Sequence, residues 1–129
     1  MDNISIQVAR SILAFSWIYH GLFPKMLTIA PSEQALTATI GLSAEHSYLV
    51  TKTAGVAEVL SGVALFVLYK NRVIPLVNIA ALFSLGLYVA IKMPSLLIEA
   101  FNPVTTNIAL MGFSYLLLRA VEPKKIVDR

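Results

Sequence analysis

Four long apolar runs, separated by short polar or proline-containing breaks, set the pattern of this chain. The runs cover about residues 4–23, 44–69, 73–91 and 103–121. At 1.5 Å of rise per residue, about 20 residues of helix match the hydrocarbon thickness of a bilayer. The runs are too long for strands and show no period-two alternation, so a β-barrel is not expected. The predicted fold is all-α: a polytopic membrane protein built as a four-transmembrane-helix bundle, with residues 1–129 forming a single domain. The charged stretch 122–129 reads as a disordered tail.

The breaks carry their own signals. Asp2 or Asn3 is placed to cap the first helix, and Pro24 to end it, with Lys25 following at the membrane surface. In the long first connection, Pro31-Ser32-Glu33 reads as a helix start with Ser32 as N-cap, and Gly41 as a C-cap. This predicts a short helix in the interface or folded back over the bundle. Ser43 is a second N-cap signal. Lys70-Asn71-Arg72 makes a tight basic turn, Pro75 is tolerable in the first turn of the third span, and Ser95–Ala100 suggests a short surface helix. Asn102 and Pro103 suit the N-cap and first position of the fourth span. No cleavable signal is evident, since Arg10 interrupts the first apolar run, which is expected to be retained.

Composition agrees with the pattern. The chain is 57% hydrophobic and 13% charged, with a mean hydropathy of +0.77. Soluble domains are nearer one-quarter charged. A net charge of +3 without a basic stripe gives no nucleic-acid signal. There is no cysteine, which excludes thiol chemistry and thiolate-held metals on this chain. His20 and His46 alone are too little for haem, and no metal site is expected. Lysine and arginine placement favours both termini in the cytoplasm, with Lys70, Arg72, Arg119, Lys124, Lys125 and Arg129 on that side and Lys25, Lys52 and Lys92 opposite.

The stretch Ala54-Gly55-Val56-Ala57-Glu58 with Gly62 places one carboxylate near the middle of the second span. Such a charge costs roughly 2.5–3.5 kcal/mol on insertion scales, so it faces protein or water. Gly55 and Gly62 lie on the face of Glu58 and allow a neighbouring helix to come close. Depths from helical rise place Arg10 within reach of Glu58, with His20 above. Two readings follow. In one, Arg10 and Glu58 form a structural ion pair. In the other, Glu58 with Arg10 or His20 floors a pocket opening outward, whose mouth is lined by Lys25, Asn102 and Asn107. Tyr19, beside His20, completes the candidate ligand-binding set. No hydrolase, phosphate-loop or zinc-protease motif is present.

These residues together resemble the DoxX-like membrane proteins. The resemblance rests on Ala9-Arg10 through Trp17-Ile18-Tyr19-His20-Gly21-Leu22-Phe23-Pro24-Lys25, on Ala54-Gly55-Val56-Ala57-Glu58 with Gly62, and on Phe101-Asn102-Pro103-Val104 with Asn107. It implies a four-helix bundle in a bacterial inner membrane. It also implies an association with quinone-linked oxidation in some members and with cargo or assembly roles in distant ones. The expectation drawn from it is a redox-associated accessory protein that binds a quinone, quinol or other amphipathic small molecule, with a redox partner protein or a second copy as partner besides the bilayer. The alternatives are an assembly or cargo-binding factor and a small proton-linked transporter subunit. Whether the chain catalyses a reaction is not decided by its residues.

Overall fold

The computed structural model describes residues 2–121. The charged stretch 122–129 lies outside them. The described residues form helices α1 (Asn3–Gly21), α2 (Pro31–Ala38), α3 (Ala44–Val67), α4 (Val73–Lys92) and α5 (Pro103–Ala120), with no strand among them. A π-helical turn (Leu22–Leu27) follows α1, and a 3-10 turn (Pro94–Ile98) follows α4.

Three helix starts are fixed by side chains that accept otherwise orphaned backbone N–H groups. Asp2 accepts from Ser5 N, Ser43 from His46 N and Asn102 from Thr105 N, and Pro103 occupies the first turn of α5. Two sequence expectations fail. Ser32 is not a cap: α2 begins at Pro31, with Ala30 as N-cap and no side-chain bond, because the fixed proline φ already suits the first position. Pro24 does not end the helical path. The chain widens there into the π turn, and Thr28 N donates to Phe23 O at 3.2 Å. Widening accommodates the missing proline N–H and relieves the clash of its ring with the preceding turn.

α1 packs antiparallel along α3, and α4 along α5. Contact between α1 and α5 joins the two pairs, whereas α3 and α4 barely touch. Glycines set the first of these packings. A Cβ built on Gly21 would lie 2.4 Å from Gly55 O, one on Gly55 2.8 Å from Gly21 O, and one on Gly62 2.8 Å from Ala14 O. No side chain fits at these points, so the two backbones meet directly.

The half of the bundle toward the chain termini is close-packed around Ala9, Leu13, Leu65, Leu110 and Leu117, with Leu82 further along. Polar rungs cross this interior. Trp17 Nε1 donates to Asn78 Oδ1 at 2.7 Å, Asn78 Nδ2 to Ser114 Oγ at 2.6 Å, and Ser114 Oγ to Leu110 O at 2.9 Å. These bonds tie α1, α4 and α5 together while leaving the buried amide satisfied. The outer surface is apolar: Phe15, Leu60, Phe83, Leu87 and Ile108 are all exposed. Apolar surface on this scale, distributed around the bundle, calls for a hydrocarbon solvent. Of the four spans expected from sequence, α3 and α4 are long and apolar enough to cross a membrane, whereas α1 and α5, of 19 and 18 residues, have the length but do not meet the same combined measure of length, hydropathy and charge.

The glycine contacts generate a prediction. Gly21→Ala and Gly55→Ala should each lower stability by about 1–3 kcal/mol or more through forced separation of α1 from α3. Gly112→Ala, whose Cβ would meet nothing within 4 Å, should be neutral or stabilising by about 1 kcal/mol at most. Monodisperse protein remaining after stepwise heating in detergent measures both.

Candidate functional site

The α1–α3 packing dictates which charges can meet. Gly21 lies against Gly55, Ala14 against Gly62, and Arg10 against Phe66. Each step toward the start of α1 is therefore a step toward the end of α3. Arg10 sits at the level of Phe66, and the eight residues back to Glu58 correspond to ~12 Å of helix. That offset exceeds the reach of an arginine side chain. The Arg10 guanidinium instead donates to Phe66 O at 3.4 Å and Gln7 Oε1 at 3.1 Å, and it lies over the rings of Phe66 and Tyr69. The expected Arg10–Glu58 pair is thus replaced, and Arg10 stands outside the site.

Lys25 is the partner of Glu58. The π turn carries it inward, so that its Cβ lies 3.0 Å from where a Cβ on Gly55 would be. Glu58 is three residues further along α3, or ~4.5 Å. Lys25 Nζ lies 2.9 Å from Glu58 Oε1 and 2.9 Å from Glu33 Oε1. The side chains of Lys25, Glu33 and Glu58 are only 9%, 18% and 14% exposed. One ammonium is therefore shared by two largely buried carboxylates, and Glu58 Oε2 is buried without a hydrogen-bond partner. Lys25 is no surface residue, because the π turn rotates it away from solvent.

Glu33 comes from α2, which folds over this end of the bundle. Thr39 Oγ1 and Tyr88 OH lie 2.7 Å apart, joining α2 to α4, and Thr37 hydrogen-bonds Ser47 of α3. Lys52 donates to Met26 O, bracing the π turn against α3. Beneath α2, between α3 and α4, lies a cavity of about 480 Å³. Its walls are largely apolar, with Trp17, Leu36, Leu82, Leu85 and Val89 among them. Val50 and Leu85 line it while also being exposed. Ile40, after α2, and Phe101, before α5, line it and are exposed as well.

Of the residues expected from sequence, His20, Lys25, Glu58, Asn102 and Asn107 line this one cavity. Asn102 is occupied by capping and by donating to Glu99 O at 3.0 Å, and Asn107 donates to Leu82 O at 3.2 Å. Tyr19 points away: its ring stacks on Phe23 at 4.6 Å, on an exposed face of α1. Glu33 was legible only as a first-turn acid of a short helix, and nothing local signals that it reaches Lys25. Trp17 and Tyr88 read as packing residues, yet both reach the cavity. Among the described residues no group of three or more metal-ligating side chains occurs.

The ion cluster makes a further prediction. Lys25→Met strands two carboxylates and should cost about 3–5 kcal/mol. Adding Glu33→Gln and Glu58→Gln to it should restore most of that loss. Arg10→Met and Glu58→Gln, at separate sites, should add to within about 0.5 kcal/mol. Thermal stability of the single and combined variants in detergent reads these couplings.

Neither curated proteins nor solved structures gave a match. A family profile, described as the DoxX-like family, matches residues 14–115. That range holds the glycine contacts, the π turn, α2 and the Lys25–Glu33–Glu58 cluster, and it covers most of the chain. The chain therefore belongs to the DoxX-like family, and with its apolar α3 and α4 it is a membrane protein.

Proposed function

We propose that this protein holds an amphipathic small molecule in the cavity between α3 and α4, with its polar head at the Lys25–Glu33–Glu58 cluster. The observation that carries this reading is a buried charged cluster opening onto apolar walls. A bundle needs no charge for its own packing, and intramembrane charges are costly enough to mark function. The volume falls in the range of ligand pockets, ~300–1,000 Å³, and combines apolar lining with a few convergent polar groups. Such a molecule enters from the acyl chains past the exposed wall residues Val50 and Leu85.

In this reading α1, α3, α4 and α5 all cross the membrane, with both termini in the cytoplasm of a bacterium and the cavity end outward. Lysine and arginine placement supports that orientation. The occupant is a quinol, a quinone or another molecule with an apolar body, and the protein serves a redox partner as an accessory. Glu58 and His20 are the groups that would exchange protons with such a head.

Native mass spectrometry of the protein released from nanodiscs tests the reading. The wild type should carry a stoichiometric amphiphile. Ala54→Phe, which fills the cavity from α3, should lose it, and Glu58→Gln should weaken it by about tenfold or more. A folded wild type that binds no amphiphile, endogenous or added, contradicts the proposal.

A further inference from the structure

The cavity lining is unbalanced in charge and in hydrogen bonding, and both imbalances point the same way. Its ionisable side chains are Glu33, Glu58 and Glu99 against Lys25, with His20 beside them. Three acids and one lysine leave a formal charge of −2 when His20 is neutral. Lys25 is already shared between two carboxylates, so it offers no free positive charge to an incoming anion.

Several donors of the wall are also engaged. Trp17 donates to Asn78, Thr51 to Ser47 O, Tyr88 to Leu36 O and Asn107 to Leu82 O. The acceptor side is unfilled, since Glu58 Oε2 has no partner. An unpaired buried acceptor carries a desolvation penalty that a donor from the ligand would remove. A carboxylate or phosphate head would meet net negative charge and few free donors. A protonated amine supplies both the missing charge and the missing donor. The aromatic rings of Trp17 and Tyr88 in the same wall favour a cation further.

We infer that the cavity selects amphiphiles with a protonated amine head over neutral and anionic ones, with Glu58 Oε2 as the acceptor for the ammonium. This rests on the cavity being an amphiphile site, and it narrows that site to a charge class in which a neutral quinone or quinol binds more weakly than an amine. The volume suits a single-chain or drug-sized molecule.

Trp17 is the sole tryptophan and lines the cavity, so its fluorescence reports occupancy. Chain-brominated dodecylamine, dodecanol and laurate would be titrated into the wild type in phosphatidylcholine nanodiscs, with Ala54→Phe as the control for quenching from the bilayer. The amine should quench saturably and bind at least about tenfold tighter than the alcohol or laurate, as a favourable charge contact in a low-dielectric site allows. That preference should shrink to about twofold in Glu58→Gln; if that variant does not fold, Glu33→Gln, which removes one negative charge from the lining but leaves the acceptor, should reduce the preference by a smaller factor. A brominated lysophosphatidylethanolamine separates the sources of the ammonium. Binding like the amine assigns the site to a lipid headgroup, and binding like laurate assigns it to a free amine. Saturable quenching by alcohol or laurate as strong as by the amine, and lost in Ala54→Phe, overturns the charge selectivity while the cavity reading stands. No saturable quenching by any probe overturns both.

Discussion

Direct contact of two helix backbones through glycine is the constraint on which the rest of this structure depends. Gly21 and Gly55 allow no Cβ between them, and Gly62 seats against Ala14 O in the same way. These contacts fix how α1 slides along α3, and so decide that Glu58 meets Lys25 and not Arg10. The proline-widened turn after α1 then completes the arrangement. A regular helix through Pro24 would clash with its own preceding turn, and the π turn that avoids this carries Lys25 into the interior. Two backbone effects, one of approach and one of widening, therefore place the lysine that lines the cavity.

The bundle is asymmetric along its length. Toward the termini, leucines from α1, α3 and α5 close the interior. At the other end a cavity lies between α3 and α4, which barely touch, and residues of α2 form part of its wall. α2 is held by an ion pair from Glu33 and by hydroxyl contacts to α3 and α4. Its buried apolar area is small, so polar contacts do much of the holding. Such an element belongs to the less stable part of a fold, where binding sites are commonly built.

Much of this architecture was legible in the residues. Apolar run length and capping chemistry pointed to the long helices, because those signals are local. The glycines around Glu58 pointed to close approach, because only a missing side chain permits it. The pairing of Glu58 was misread: depth brings Arg10 within reach and leaves Lys25 at the surface, whereas the slide of α1 along α3 and the π turn reverse the two. That slide is a property of two surfaces together. Glu33 was missed for the same reason: α2 folds over the bundle through contacts with three other elements, none of which is visible from its own sequence. His20, Asn102 and Asn107 reach the cavity as expected from their depth, whereas Tyr19 lies on the opposite face of its helix, which depth alone does not reveal.

The most direct test of this account is a solid-state NMR measurement of dipolar coupling between lysine Nζ and glutamate carboxyl carbons in lipid bilayers. The account predicts a strong lysine–glutamate coupling that vanishes in Lys25→Met, keeps only its Glu33 component in Glu58→Gln, and is untouched by Arg10→Gln. A coupling that survives Lys25→Met, or Glu58 found coupled to an arginine guanidinium and lost in Arg10→Gln, would contradict it.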